Sequence, residues 1–143
     1  MPYRNYLCSR PRLVLYGSTH GDVDELEALL SDVLRSRGEH PVIESFVGTL
    51  PYYLEYTRRN PYLILVAAAP GADGPDIVRK IRENNPAARL VWLCGKEYAK
   101  SAYRIRPTAL EEFPATREAV ERAMDECGLC GIKAGQEVPT EIV

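Results

Sequence analysis

Three groups of residues in this 143-residue sequence have the types and spacing that chemistry requires. Ser18 and Thr19 lie in the turn "GSTHG" at 17–21, where hydroxyl groups and the amides of a following helix could bind a phosphate. Cys127 and Cys130 form a C-x-x-C pair. Asp73 is the one acid in the Gly-rich segment 67–74. Each group suggests a different chemistry: phosphate binding, thiol redox or metal chemistry, and carboxylate chemistry.

The cysteine pair is interpreted as the structural end of a helix. Redox dithiols of this spacing lie at a helix N-terminus, where the dipole lowers the thiol pKa. This pair follows the last predicted helix, at the end where a thiolate is disfavoured. No second pair has suitable spacing for zinc, so no metal site is predicted. Asp73 is interpreted as a turn residue, because Asp is favoured in turns for backbone reasons.

The overall charge argues against non-specific binding of nucleic acid. The net charge is -2, and the basic residues are scattered along the chain, mostly beside acids. No stretch has the roughly 20 apolar residues of a membrane span, and the N-terminus lacks the apolar core of a signal peptide. We therefore expect a cytoplasmic protein without a membrane partner, in which Cys8 and Cys94 are free thiols.

Apolar runs alternate with amphipathic segments along the chain, which predicts parallel strands joined by helices. The predicted strands are Arg12–Tyr16, Val42–Val47, Tyr62–Val66, Leu90–Leu93 and Ala109–Phe113. The predicted helices are Asp22–Arg37, Leu50–Arg59, Pro75–Asn84, Glu97–Arg104 and Thr116–Cys127. We expect an α/β fold, a three-layer α/β/α sandwich, over residues 12–127. Residues 1–11 form an N-terminal extension and 128–143 form a tail or the start of a linker to an output domain.

The loops after the strands are where ligands bind in such a sheet. They are predicted at 17–21, 67–74, 94–97 and 113–116. The third strand and its loop read "YLILVAAAPGADG" (62–74), with three alanines and no polar side chain before Asp73. The position where catalytic or binding side chains usually follow such a strand therefore carries none before Asp73.

The segment from about Tyr62 to Met124 resembles the receiver domain of two-component response regulators. The pieces that carry the resemblance are "PGADG" (70–74), "EYAKSAYRI" (97–105) and the turn at Pro114. The segment especially resembles receivers that precede a LytTR DNA-binding domain. The resemblance implies a five-stranded parallel sheet of order 2-1-3-4-5 and a role in signalling or transcription regulation.

A working receiver uses an acidic pair for Mg²⁺, a phosphoacceptor aspartate, a Ser/Thr and a lysine before a proline. The resemblance places these functions on Gly17 and Ser18, Val66, Cys94 and Phe113. Its aromatic switch position falls on Leu110. It therefore implies a degenerate receiver that is not phosphorylated, holds no metal or cofactor and is not an enzyme. It also implies a cis peptide between Phe113 and Pro114.

Receivers commonly bind partners through the face of their fourth helix, fifth strand and fifth helix. On this chain that interaction face would include Tyr98, Ser101, Tyr103, Ile105 and Leu110. The alternative is that these side chains cover the edges of the core. The expected partner is another protein or a second copy, in a homodimer. The tail "GIKAGQEVPTEIV" (131–143) is similar to the first strand of a LytTR domain, so DNA would be contacted only through an output domain absent from this chain.

A second resemblance gives the alternative function. The segment "YGSTHGDVDELEALL" (16–30) is similar to the phosphate loop of flavodoxins. It implies an FMN-binding electron-transfer protein, with Ser18 and Thr19 at the phosphate and Tyr98 near the flavin. Asp22 would repel that phosphate, and the loop 67–74 lacks an aromatic residue to stack on the ring. A third hypothesis is a stand-alone adaptor of the same fold with no two-component history.

Overall fold

A five-stranded parallel sheet forms the centre of the structure. The computed structural model describes residues 10–58 and 60–129, apart from the side chain of Tyr103. The strands follow the order β2-β1-β3-β4-β5, which confirms the predicted topology. They are β1 (Arg12–Gly17), β2 (Val42–Val47), β3 (Ile64–Ala68), β4 (Arg89–Cys94) and β5 (Ala109–Glu112).

Helices cover both faces of the sheet and complete the predicted three layers. On one face, α1 (His20–Ser36) and α5 (Arg117–Glu126) share a core cluster with the sheet. The other face is covered by α2 (Leu50–Thr57), α3 (Gly74–Asn84), a 3₁₀ helix (Lys96–Ser101) and α4 (Ala102–Ile105). Within the part of the chain described, no helix is long and apolar enough to cross a membrane.

Alternation along the strands divides the core between the two faces. Leu13 and Leu15 pack towards α1 and α5, whereas Val14 and Tyr16 pack towards α2 and α3. All five residues of β3 are buried. This double burial explains why β3 lies at the centre and why its sequence is a continuous apolar run, as expected of parallel strands.

The third strand and the first helix each differ by two residues from the prediction next to the candidate site. The third strand begins and ends two residues later than predicted, because the alanines continue the ladder: Ala67 pairs with Tyr16 and Trp92, and Ala68 with Gly17. Helix α1 begins two residues earlier than predicted. Its N-cap is Thr19, whose hydroxyl accepts a hydrogen bond of 3.2 Å from the amide of Asp22.

The predicted fourth helix is mostly a 3₁₀ helix. Six residues, Lys96–Ser101, have 3₁₀ geometry before the single α-turn of α4. None of these six residues is buried. Tyr98 and Ala99 pack against the core but are only half-buried. Because packing of an apolar face supplies most of the stability of a helix, this partial burial gives little support to α geometry. Runs of 3₁₀ helix this long are uncommon.

Arg37 joins the C-terminal ends of α1 and α5 at the amino-terminal edge of the sheet. Its side chain, 8% exposed, lies 2.7 Å from the carboxylate of Asp125. It also donates to the carbonyls of Leu129 at 2.6 Å and Glu121 at 3.2 Å. These bonds join the end of α1 to α5 and to the turn that follows α5.

Several predictions fall on residues outside those described. They concern the extension before residue 10, Cys8, Cys130, the tail from 130 onwards and its LytTR-like strand. They remain predictions.

Tyr53 offers a test of how α2 is held on the sheet. Its hydroxyl donates to the carbonyl of Val14 at 2.7 Å, and its ring is fully buried. We expect Tyr53→Phe to lower the free energy of unfolding by about 1 kcal/mol, because a buried carbonyl loses a partner. Urea unfolding measures the change.

The matched control is Tyr52→Phe, because Tyr52 is 71% exposed. We expect the control to change stability by only a few tenths of a kcal/mol. Equal losses in both variants would contradict the assigned role of the Tyr53 hydroxyl.

Candidate functional site

The carboxyl-terminal edge of the sheet is the candidate site, because α/β folds bind ligands there. Gly17 of β1 pairs with Ala68 of β3, and Ala68 pairs with Leu93 of β4. Leu93 in turn pairs with Glu111 of β5. The edge is therefore lined, from β1 to β4, by residues with no polar side chain.

The start of this edge has no room for a larger side chain at Gly17. A Cβ atom built on Gly17 would lie 2.5 Å from Cγ2 of Val23 in α1. The loop between β1 and α1 is only Ser18 and Thr19, both exposed. Helix α1 therefore packs directly over the end of β1. The receiver resemblance places a metal-binding acid at this position.

The loop after β3 is held closed by backbone contacts. The indole Nε1 of Trp92 donates to the carbonyl of Ala69 at 3.0 Å, and the Ala69 amide donates to the carbonyl of Leu93 at 3.1 Å. A Cβ atom on Gly74 would lie 2.2 Å from the Ala69 oxygen, and one on Gly95 would lie 2.5 Å from the Pro70 oxygen. Only glycine fits at these two close approaches.

Comparison with solved structures gives the same fold. The signal receiver domain of a diguanylate cyclase from Desulfovibrio desulfuricans matches with a TM-score of 0.62 at 11% identity, over 82% of this chain and 92% of that one. The BeF3-activated DrrB receiver domain matches with a TM-score of 0.59 at 14% identity, over 84% and 99%.

A protein of Burkholderia thailandensis assigned to pilus assembly, CpaE, also matches, with a TM-score of 0.65 at 13% identity over 82% of this chain and 98% of that one. The chain has the receiver fold. No protein-family model matches the sequence, and no curated protein does.

Within the receiver fold, the positions expected to carry phosphotransfer are apolar or buried. Val66 is 1% exposed and pairs with Leu15 and Val91, two residues before the end of β3. Cys94 is 2% exposed, and burial, followed by the charge of Glu112, raises the pKa of its thiol. Phe113 packs against the cluster on the α1 side.

The peptide between Phe113 and Pro114 is cis, as the resemblance implied. Pro114 contributes to two clefts at this edge. A cleft of about 260 Å³ lies between α1 and the loop after β5, and its lining includes Asp22, Glu25 and Phe113. The described residues contain no group of three metal-ligating side chains.

Asp73 lies in the loop between β3 and α3, next to the candidate site. It precedes α3 without capping it through its side chain. Burial of Tyr16 raises the pKa of that phenol, and the charge of Asp73 raises it further. Tyr16, at the end of β1, was not singled out from the sequence, where its position in an apolar run resembles that of any core residue.

The residues predicted for FMN binding are used in packing and capping. The Thr19 hydroxyl caps α1, and Tyr98 packs against the core cluster on the α3 side. Ser18 is exposed. Asp22 lies in the first turn of α1, as expected, where its charge would oppose a bound phosphate.

The residues of the predicted interaction face divide between core and surface. Tyr98, Ser101 and Leu110 are half-buried around the 3₁₀ helix and β5. Ile105 is only 4% exposed and lies in the core, so its place on an exposed face is corrected. The backbone of Tyr103 lies in α4.

A charged pair missed in the sequence borders this face. The side chain of Glu111 in β5 is 10% exposed, and its Oε1 lies 2.8 Å from Nη2 of Arg122 in α5. The Nε of Arg122 donates a second hydrogen bond of 3.3 Å to Oε2 of Glu111. The pair lines a cleft of about 360 Å³ that also includes Cys94 and Lys96. Eleven positions separate the two residues, so only the β5–α5 turn brings them together.

Cys127 is interpreted correctly as part of a helix end. It is 3% exposed, follows α5, and its carbonyl accepts a bond of 2.8 Å from Arg89. Burial raises the pKa of the Cys127 thiol to about 11. A thiol of such high pKa is a poor redox nucleophile at neutral pH.

The raised pKa of Cys127 predicts a loss of stability in alkali. Above a pKa of about 8.5 the unfolded thiol ionises while the folded thiol keeps its proton. The free energy of unfolding should therefore fall from about pH 8.5 until pH 11. We expect this fall to be smaller by about 3 kcal/mol in Cys127→Ala. Urea unfolding at a series of pH values measures both slopes, and parallel slopes would contradict the assignment.

Proposed function

We propose that this chain is a degenerate, phosphorylation-independent receiver that works by binding a second copy or another protein. In this proposal it is not an enzyme and needs no cofactor. The observation that carries it is the edge of the sheet, where β1, β3 and β4 end at Gly17, Ala68 and Cys94. Phosphotransfer requires a carboxylate to attack phosphorus and oxygen ligands for Mg²⁺, and those side chains are glycine or apolar.

The tight packing at that edge supports the same proposal. An acid at Gly17 would meet Val23, and the carbonyl of Ala69 already accepts a hydrogen bond from Trp92. Restoring a phosphorylation site would therefore require several coupled changes.

The surface that fits this role is formed by the 3₁₀ helix and β5. Tyr98, Ser101 and Leu110 are half-buried there, beside a cleft of about 430 Å³ lined by Ala99 and Ala102. Small side chains permit close approach, and tyrosine is common in protein interfaces. We infer that this face binds the partner, in a homodimer when the partner is a second copy.

The output is inferred from the resemblance to LytTR-type regulators. We propose that the chain regulates transcription through a DNA-binding module rather than through its own surface. The net charge of -2 supports this division of labour, because direct binding of phosphates needs an extended positive field. The proposed site of action is cytoplasmic.

The first test is the response to a phosphoryl mimic. We expect Mg²⁺ with beryllofluoride to leave the amide NMR signals of Gly17, Ala68 and Cys94 unchanged, because none of these three strand-end residues carries a carboxylate. The DrrB receiver domain under the same conditions is the positive control, since it has been activated with BeF3.

A saturable, Mg²⁺-dependent shift at those amides would contradict phosphorylation independence. The same sample titrated with FMN tests the flavodoxin-like alternative. Saturable quenching of flavin fluorescence would transfer the function to Ser18, Thr19 and the loop after β4.

The second test concerns the interaction face. We expect the protein to self-associate with a dissociation constant of about 1 mM or below. Ser101→Arg should reduce that association, because a long charged side chain would separate the two faces. Light scattering after size-exclusion chromatography measures the mass. Ala28→Arg, on the exposed side of α1, is the matched control.

Equal masses for the two variants would contradict this choice of face. A monomer at every concentration would contradict the homodimer and direct the search to a separate partner.

A further inference from the structure

A cluster of three arginines lies at the amino-terminal edge of the sheet, opposite the candidate site at the carboxyl-terminal edge. Arg82 at the end of α3 and Arg104 and Arg106 at the end of α4 line one open cleft of about 770 Å³. The remaining lining residues are Pro86, Ala88 and Ile105. In sequence the basic residues are scattered, and only the packing of α3 against α4 brings these three together. No carboxylate is among the residues that line the cleft.

Arg82 is a fixed positive charge in this cluster. Its Nη1 donates to the carbonyls of Ala88 at 2.6 Å and Asn85 at 3.2 Å, and its Nη2 donates to the carbonyl of Arg106 at 3.0 Å. All its partners are backbone carbonyls, so no carboxylate neutralises it. Its Nε is buried and has no partner among the described residues. Burial lowers the pKa of its guanidinium, as expected for a cation held without an opposite charge.

Arg104 and Arg106 add two charges that the described structure leaves unpaired. Both side chains are exposed, and neither makes a hydrogen bond or an ion pair with another described residue. Glu126 borders the neighbouring cleft that Arg106 also lines, yet the two do not form an ion pair. Arg79, which also lies on α3, differs because it pairs with Asp76 and Glu83.

The backbone at Arg106 is held in a rare conformation. Its φ is +57°, the only positive value at a described residue other than glycine. Its amide donates to the carbonyl of Ala102 at 2.8 Å, and its carbonyl accepts the bond from Arg82. Positive φ costs energy in residues with a Cβ atom. The position of Arg106 is thus determined by bonds on both sides, which fixes it relative to Arg82.

We propose that the cleft formed by Arg82, Arg104 and Arg106 binds a phosphate group as its dianion. Guanidinium groups present paired donors that match the oxygens of phosphate. Three of them around one cleft, with no acid in its lining, complement a doubly charged group better than a single carboxylate. This site is independent of the proposed function, because it lies at the other edge of the sheet and needs neither Mg²⁺ nor an acceptor carboxylate.

The ligand can be inorganic phosphate or a phosphate monoester, which share this chemistry. Either would bind without covalent transfer. Because Arg104 and Arg106 belong to the end of α4, a bound phosphate would link α4 to Arg82 on α3. The cleft would therefore bind an anionic ligand reversibly, at the edge of the sheet opposite the expected phosphorylation positions.

The test is an NMR titration of the full chain with inorganic phosphate, with potassium chloride adjusted to keep the ionic strength constant. We expect saturable shifts of the amides of Ala87, Ala88 and residues 104–106, with a dissociation constant of about 1 mM or below. Chloride alone should not produce them. Arg104→Gln combined with Arg106→Asn should weaken binding by about tenfold or more, and asparagine suits Arg106 because it tolerates positive φ.

The matched control is Arg35→Gln, which removes one exposed charge from α1 on the other face of the sheet. We expect it to change the affinity by less than about twofold. Urea unfolding of each variant checks that the fold is retained, and Arg104→Gln alone serves if the double variant does not fold.

Three results would overturn the proposal: no saturable shift at these amides, an equal loss of affinity in Arg35→Gln, or equal affinity for the dicarboxylate succinate. O-phosphoserine distinguishes the two sources. Tighter binding of O-phosphoserine than of inorganic phosphate supports a monoester, and the reverse order supports free phosphate.

Discussion

The hydrogen bond between the Trp92 indole and the Ala69 carbonyl determines the character of the carboxyl-terminal edge. Trp92 is fully buried in β4, so its N–H needs an acceptor within the protein. The first residue after β3 supplies it, and the loop is then drawn against Gly74 and Gly95, where a Cβ atom would clash. The small residues at 67–69 follow from this arrangement. Ala67, Ala68 and Ala69 are all buried, so the edge is closed by its own packing.

Much of the fold could be predicted because its signals are local. The apolar run of β3, the Thr116 cap of α5 and the stop of α1 near Gly38, whose φ is +80°, depend on neighbouring residues. The errors occur where tertiary packing decides. Alanine has little preference for strands, so the extension of β3 through Ala68 depends on pairing with Gly17 and Leu93. The 3₁₀ geometry of Lys96–Ser101 accompanies partial packing, because no residue of this segment is fully buried.

The site shows the same limit. The apolar character of Val66, Cys94 and Phe113 is readable from the sequence once the strand ends are placed. The Glu111–Arg122 pair and the arginine cleft are not, because each joins residues from different elements. Their chemistry exists only after β5 has turned into α5, or after the end of α3 has met the end of α4. Charge scattered along the sequence thus becomes concentrated at particular edges of the sheet.

The contacts of Arg37 with Asp125 and Leu129 have a consequence for the segment that follows residue 129. The carbonyl of Leu129 is held at 2.6 Å by a guanidinium that also binds Asp125. Residue 129 therefore starts from an anchored point beneath the sheet, with a fixed direction relative to α1 and α5. Because Arg37 belongs to the end of α1 and its partners to α5 and the turn after it, a shift of α1 against α5 would change the bonds that hold the Leu129 carbonyl.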